Sequence, residues 1–508
     1  MGEFEMSNIS INDIASFCKK KGFVFPTADI YGGLGGFFDL GPLGVELKNN
    51  IKHYYWNDLV RRKEFMTGID GSIITHPKVW KASGHVDNFF DYQVSCDKCK
   101  NSFRADNLIE EVLGIDADGL NPSEMDEIIK KDKIVCPKCK GSLGKAVAYS
   151  LMFSTNVGAG QSGVISYLRP ETAQSIFINF KNVLDSQRLK LPFGIAQIGK
   201  AFRNEISPRN FLFRLRELEQ IEIEFFVHPK KIDNCPFFDR IKDFEVLFLS
   251  REAQTHDKNK STKEKNVKLK EILNRSNPWQ LYWLYEVYLW YIRYGIKKEN
   301  LRIREHLKEE LAHYAKSCFD IDYRFSFGWK EICGNADRGS FDLEQQSRLS
   351  NSKFEIFDEE TKEKVIPLVA SEPSFGVERA ILTILSEAYE YDLERDNVVL
   401  HLSSKLAPIK FGVFPLIKDE KLIKLSREIY DTLNAKHNVF YDEAGSIGKR
   451  YARQDEIGTP FCLTVDFQTL EDGCITIRDR DSKLQQRFSL KNIKGICEAL
   501  LDNEIKVK

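Results

Sequence analysis

Arginine and glutamate alternate between residues 203 and 224 more regularly than solubility requires. From Ile195 to Ile206 the even positions include Ile198, Phe202 and Ile206, and the odd ones include Gln197, Gly199, Arg203 and Glu205. This pattern predicts a strand that buries one face and presents Arg203 and Glu205 on the other. Ser207-Pro208-Arg209-Asn210 is turn chemistry. A second strand is predicted from about Phe213 to Phe226, with Arg214, Arg216, Gln220, Glu222 and Glu224 on its even face. Its odd face holds Leu215, Ile221, Ile223 and Phe225, interrupted by Glu217 and Glu219. The two strands form an antiparallel hairpin with one surface crowded by both signs of charge. Arginines on it could clamp a polyphosphate bidentately and neutralise developing charge, while carboxylates could receive an ammonium group. An exposed charged hairpin without a ligand is the plainer alternative.

Other stretches carry further chemistry. In Glu372-Pro-Ser-Phe-Gly376-Val-Glu-Arg379, the series Val377, Ala380, Ile381, Ile384, Leu385 predicts an amphipathic helix. Gly376 stands at its start, where backbone can approach a ligand, and Arg379 falls in its first turn, where an arginine could meet phosphate. Taken alone this is a weak signal. The glycines of Ile30–Gly44 match neither a dinucleotide fingerprint nor a P-loop. They point to close backbone packing before a helix carrying Leu47, Ile51, Tyr55 and Leu59. Cys96-Asp-Lys-Cys99 and Cys136-Pro-Lys-Cys139 are two CxxC knuckles with 36 residues between them. Two such turns complete a tetrahedral thiolate cage for a structural Zn²⁺, closed to water and substrate. Two unrelated cysteine pairs are the alternative. The other seven cysteines show no ligand spacing.

The elements that must position these groups sit in a chain of 508 residues, length for roughly three domains. Charges balance to 74 − 75 = −1, which excludes indiscriminate binding of nucleic acid by gross positive charge but not a local basic patch. No apolar run is long enough to span a membrane, and the acidic N-terminal segment lacks a signal-peptide core, so a cytoplasmic protein is expected. The expected organisation is a catalytic α+β unit over 10–91 and 140–400, and a zinc-knuckle insertion over 92–139. An insertion with helical content is expected over 228–323, and an α/β module over 405–508. Within the 228–323 insertion, Asp257–Lys270 is lysine-rich, read as a solvated face with nucleic-acid contact as the sharper possibility. The aromatic run from Pro278 to Tyr291 predicts a buried helix rather than a base-stacking platform. In the last block, Lys410–Phe414, Asn438–Tyr441, Phe461–Asp466 and Cys474–Arg478 read as strands, and Leu422, Leu425, Ile429 and Leu433 as a helix stripe. That predicts a parallel or mixed sheet flanked by helices.

Several of these segments resemble one family, the dimeric glycyl-tRNA synthetases within class II. The segments are Ile30–Ile51, His76–Phe89 with Pro77 in the first class motif, Phe202–Phe226 as the second, Glu372–Arg379 as the third, and Gly445–Pro460 in an anticodon-binding domain. The resemblance implies an antiparallel catalytic sheet of class II type, a C-terminal anticodon-binding domain and a homodimer. It implies ATP with Mg²⁺, glycine and tRNA(Gly) as substrates, and no membrane partner. Arg203, Glu205 and Arg379 would be the catalytic residues: Arg203 on the α-phosphate, Glu205 beside adenine and Arg379 on the far phosphates. Phe213 would stack on adenine, and Asn204, Arg214, Leu215, Arg216, Glu217, Leu218, Glu331, Ile332 and Gly376 would line ATP. Arg324 is a weaker candidate for the α-phosphate.

For the amino acid, the resemblance implies Arg104, Glu171, Leu218, Glu219, Gln220, Ile221, Glu222, Glu372, Pro373, Ser374, Phe375 and Gly376. Glu171, Glu222 and Glu372 would surround the ammonium. Ser340 departs from the aspartate more usual there, which weakens any role for its loop, and the lysine-rich insert is given no site. The expected reaction is adenylation of glycine followed by transfer to the tRNA terminus. A sister synthetase for another amino acid and a non-catalytic paralogue are the alternatives. The glutamate trio argues against the first, and the presence of Arg203, Glu205 and Arg379 against the second.

Overall fold

The computed structural model describes residues 9–508 except 116, 118, 160–162, 256–263 and 313. Its largest sheet has nine strands: β1 (Met66–Ile69), β2 (Phe193–Phe202), β3 (Glu217–Val227), β4 (Glu245–Leu249), β5 (Lys265–Lys268), β6 (Leu301–Glu305), β7 (Ser317–Phe325), β8 (Gly328–Asp337) and β9 (Leu368–Gly376). In space they run β5-β4-β6-β7-β8-β9-β3-β2-β1. All neighbours are antiparallel except β4 with β6 and β1 with β2.

The expected hairpin is β2–β3, with Glu222 opposite Gln197 and Gln220 opposite Gly199. Both strands are shorter at the turn than alternation predicts. Arg203 N–H still donates to Arg216 O at 2.9 Å, but Asn204 N–H turns to Leu151 O at 2.8 Å, so the ladder opens there. Phe211–Phe213 is a 3₁₀ turn, and β3 starts only at Glu217. Arg203, Glu205, Arg214 and Arg216 therefore sit in the mouth of the hairpin rather than within its strands. The even face of β3 is also not a surface: Gln220, Glu222 and Glu224 are buried.

The odd face of β3 is covered by the helix Pro278–Arg293, capped by the Asn277 side chain and begun by a proline. Trp279 and Trp283 lie 4.9 and 5.4 Å from the Phe225 ring, and Tyr291 stacks on Phe375 at 5.4 Å. Each such buried ring contributes about 1.5–3 kcal/mol by leaving water, and the aromatic run is core. The 228–323 stretch, expected as an insertion within the catalytic domain, builds directly on its sheet: β4, β5 and β6 extend it and β7 belongs to it. Of the lysine-rich segment, residues 257–263 lie outside the described residues; β5 begins just beyond them.

The glycine-rich segment packs as expected. A Cβ on Gly44 would lie 1.8 Å from Phe23 O, and one on Gly41 2.4 Å from Gly22 O. This lets the helix Pro42–Trp56 bury Leu47, Ile51 and Tyr55. The cysteine module is wider than 92–139. Its three-stranded sheet joins Phe90–Ser95 to Ser102–Arg104 and to Val147–Ser150. The helices Ala105–Leu113 and Pro122–Lys131 close a small core of their own over it.

The C-terminal block is a mixed five-stranded sheet. Phe411–Pro415 lies between the parallel strands Val439–Tyr441 and Phe461–Val465, and Cys474–Asp479 and Gln485–Ser489 follow antiparallel. Among the described residues no helix is long and apolar enough to cross a membrane.

Candidate active site

A cleft of about 350 Å³ opens where β3, β8 and β9 meet the hairpin mouth and the helix Val377–Ala388. Its lining includes Arg203, Glu205, Phe213, Arg214, Leu215, Leu218, Glu331, Ile332, Gly376 and Arg379 from the expected ATP set, and Arg104, Gln220 and Ser374 from the expected glycine set. Arg379 lies over the Phe213 ring at 4.5 Å and donates to Phe213 O and Glu331 O, with Glu331 Oε1 3.2 Å away. Arg203 is oriented by donating from Nε to Pro170 O at 3.0 Å. Burial lowers the Arg214 pKa against the pull of Glu205, and Arg104, Arg209 and Arg379 lower it further by repulsion. These arginines share the cleft with Asp91, Glu205, Glu331 and Glu378, and their guanidiniums can clamp an anion that enters it.

Several expected residues point elsewhere. Asn204 uses its backbone to hold Leu151. Arg216 donates to Glu205 O and to Gly35 O, clamping the glycine-rich loop against the hairpin. Glu217 pairs with Lys200 at 2.9 Å on the neighbouring strand. Arg324 bonds Asn300 and lines a different cavity. Glu219, Ile221, Pro373 and Phe375 occupy odd positions, so their side chains leave the cleft for the helix-covered side of the sheet. Glu219 is there neutralised by Lys48 and Lys52, each at 2.6 Å, and Ile221 and Phe375 are core. Pro373 sits opposite Asn335, whose amide bonds back to the buried helix.

Below the arginines lies a buried acidic floor. Glu222 accepts from Thr172 N–H (2.8 Å) and Oγ1 (2.6 Å), from Ser374 Oγ (2.8 Å) and from Gln220 Nε2 (3.2 Å). Glu171 lies 3.3 Å from His85 Nε2 and 4.0 Å from Arg338. Burial pushes its carboxyl up, but the pull of His85, Arg338 and the Gln174 amide holds it well below the usual range. Burial pushes Glu372 up to about 8 against the pull of Arg338, with Glu222, Glu171 and Asp342 adding repulsion. Glu224 is fully buried with neither oxygen bonded. Burial and then Glu372 hold it far above the usual carboxylate range, which favours its protonated form.

The sequence reading missed Arg338, Asp342, His85, Asp91 and the site role of Glu224. Asp91 is 3.1 Å from Arg104 and is pushed up to about 6 by burial, against the pull of Arg104. Only Glu224 left a signal, as the next even position after Glu222. The others come from distant loops and helices.

The four knuckle cysteines converge. Cys96 Sγ lies 3.4 Å from Cys139 Sγ and Cys99 Sγ 3.6 Å from Cys136 Sγ. These separations are far longer than a disulfide's roughly 2.0 Å. They are near the roughly 3.8 Å edge of a tetrahedron with Zn–S of about 2.3 Å. Asn101 Nδ2 donates to Cys99 Sγ at 3.1 Å and helps lower that thiol to about 6. The donor set fits zinc. A second grouping, His306, Cys318 and Asp320, does not fit a cation as well, because Arg304 already donates to Asp320 at 2.6 Å.

Comparison with known proteins agrees with this geometry. A family model described as the tRNA synthetase class II core domain (G, H, P, S and T) matches residues 165–388, and one for an anticodon binding domain matches residues 406–500. The chain is 42% identical to the glycine–tRNA ligase of Clostridium perfringens, covering 97% of this chain and 99% of that protein. It is 43% identical to those of Geobacillus kaustophilus, over 96% and 98%, and Alkaliphilus oremlandii, over 95% and 97%. A class II sheet, a cleft with arginines at its mouth and carboxylates at its floor, and near-full-length identity above 40% place this chain in the glycine–tRNA ligase family of the class II aminoacyl-tRNA synthetases.

Proposed function

We propose that the enzyme activates glycine with MgATP and esterifies it to the terminal adenosine of tRNA(Gly). In the first step a glycine carboxylate oxygen attacks the α-phosphorus in line. The bond to the β-bridging oxygen breaks, and glycyl-adenylate and pyrophosphate form. Arg203 holds the α-phosphate, Arg379 the far phosphates, Phe213 and Glu205 the adenine, and Mg²⁺ enters with ATP. Catalysis is then chiefly alignment and charge neutralisation. In the second step a ribose hydroxyl of the terminal adenosine attacks the activated carbonyl, and AMP leaves with the mixed-anhydride oxygen. No side chain is required as a general base. The observation that carries this reading is a cleft lined by four arginines and by Gln220 and Ser374, both bonded to Glu222, with Glu171 and Glu372 buried close behind.

The four cysteinyl sulfurs would hold a structural Zn²⁺, which when bound ties the two knuckles of the module together. Arg104, at the start of the helix Ala105–Leu113, would reach the glycine carboxylate end from that module. A homodimer is part of this reading, and exposed apolar side chains of the first-motif segment and of the strands Ser154–Val157 and Val164–Tyr167 are candidates for its contact. Ile74, Val86, Val157, Val164 and Ile165 are all exposed there. The work is assigned to the cytoplasm. Pyrophosphate exchange into ATP, run with each amino acid in turn, tests the reading. Exchange with glycine alone is expected; exchange with another amino acid, or with none, refutes it.

A further inference from the structure

The acidic floor needs something to keep its carboxylates apart and aimed, and one side chain does this from behind. Arg338, 1% exposed, stands in the turn between β8 and the helix Phe341–Ser350. Its Nη1 donates to Glu372 Oε1 at 2.5 Å. Its Nε and Nη2 donate to Asp342 at 2.7 and 2.9 Å. Nη2 is also 4.0 Å from Glu171 Oε1, and the guanidinium plane stacks on Tyr314 at 3.7 Å. Asp342 is itself fixed by Gln174 Nε2 (2.8 Å), which also reaches Glu171 (3.2 Å). Glu372 thus gives one oxygen to Arg338.

We infer that Arg338 is the positioning residue of the amino-acid pocket. From a scaffold of Asp342 and Tyr314 it holds one oxygen of Glu372 and draws in Glu171, so that the two carboxylates face a single primary ammonium at fixed separation. The inference rests on the proposed role of these glutamates in glycine binding.

The geometry demands arginine in particular. Only a planar fork reaches Glu372 and Asp342 with separate N–H groups while its face lies on an aromatic ring, and a lysine would supply the charge at a single point. A purely structural arginine would need Asp342 and Tyr314 alone. The bond to Glu372 is the part directed at the cleft. The groups facing Glu372 are Glu222 and Glu224 from β3, Glu171 from the segment before the helix Ala173–Gln187, and Arg338, Asp342 and Tyr314. Arg338 is the principal cation among them, so its loss also raises the pH at which glycine use reaches its plateau.

The test uses the full-length enzyme in glycine-dependent pyrophosphate exchange. Arg338→Lys is expected to raise the glycine KM roughly 10-fold, the scale of one charge-assisted hydrogen bond, with the ATP KM within about 2-fold. Because Arg338→Gln alone would strand buried Asp342, the double variant Arg338→Gln/Asp342→Asn removes both charges. It is expected to raise the glycine KM further and to move its pH plateau upward, and Arg338→Lys is expected to return the plateau toward that of the parent. Glycine and ATP KM values that move together, or a folded Arg338→Lys enzyme with the parent glycine KM, would overturn the inference. Glu222→Gln in parallel separates the two levels. A raised glycine KM there with none in the Arg338 variants refutes only the role of Arg338. No change in any of them refutes the pocket itself.

Discussion

Glycine use should depend steeply on pH through Glu372, and the size of the effect follows from the pocket. Burial pushes Glu372 up to about 8, with Arg338 pulling down and Glu222, Glu171 and Asp342 pushing up. The free enzyme therefore holds a proton on this carboxyl at neutral pH. An incoming ammonium favours the charged carboxylate, so binding expels that proton. Affinity is lost below the free-enzyme pKa and recovered as pH rises through it. With one such proton the apparent glycine KM scales as one plus ten to the power of eight minus pH. That puts it about 30-fold above its plateau at pH 6.5, roughly 10-fold at pH 7 and about 2-fold at pH 8. The measurement is initial-rate pyrophosphate exchange with saturating MgATP from pH 6.5 to 8.5, repeated with glycine saturating and ATP varied. Glu372→Gln should flatten the glycine curve at the cost of a higher plateau. A glycine KM that is flat across this range in the parent enzyme, or an ATP KM that follows the same curve, would refute the reasoning.

Other outcomes follow from the same coordinates. Glu224→Gln replaces a neutral acid with a neutral amide, so the glycine KM should stay within about 2-fold and the melting temperature should not fall, since no buried charge is lost; a large rise in KM would mean that the carboxylate is ionised and used. Cys136→Ser, or a strong chelator, should release about one zinc per chain by elemental analysis. The same treatment should expose residues 100–135 to proteolysis, because the module's small core depends on the sulfur cage; a protease-resistant, metal-free module would refute the cage. Ile165→Glu puts a charge on the exposed apolar face of the strand Val164–Tyr167 and should shift the mass measured by light scattering from two chains to one; an unchanged mass would place the dimer contact elsewhere.

Much of this site was legible in the sequence because its chemistry is concentrated in three continuous segments. Alternation in residues 195–226 correctly paired Glu222 with Gln220 and Glu224 on one face and set Ile221, Ile223 and Phe225 on the other. It could not say that the polar face is covered, nor where the ladder opens. Those depend on Leu151 taking the Asn204 N–H and on the upstream helix Ala173–Gln187, where Thr172 bonds Glu222 and Phe180 packs on Phe226. The same limit explains the misplaced side chains. Residues taken as a continuous run, such as 218–222 or 372–376, alternate between cleft and core, so only every second one can reach a ligand with its side chain. Arg338 was invisible for a different reason. Its signal is not a spacing but a meeting of the turn after β8 with Glu372 of β9 and with Glu171, 167 residues earlier in the chain.

The near-zero net charge conceals how the molecule separates its charges. Arg104, Arg203, Arg214 and Arg379 line one cleft beside Asp91, Glu205, Glu331 and Glu378, while Glu171, Glu222, Glu224 and Glu372 are buried behind its wall around a single arginine, Arg338. Such a gradient suits a substrate that is itself a charge pair and offers nothing else to grip. Glycine has no side chain from which binding energy can be drawn, and an added methyl group in an open apolar pocket would be distinguished by only about 10- to 200-fold. Selectivity must instead come from closing the space beside the α-carbon. Closure of that kind works only if the ammonium is held rigidly enough that a larger amino acid cannot shift to relieve the clash. Glu222 is held by four hydrogen bonds and Glu372 by a buried guanidinium, and both are fixed before any ligand arrives. On the proposed reading, rigidity of these carboxylates is what discrimination rests on, and it accounts for the buried acids gathered around one arginine. Loosening that arginine should admit alanine before it abolishes glycine.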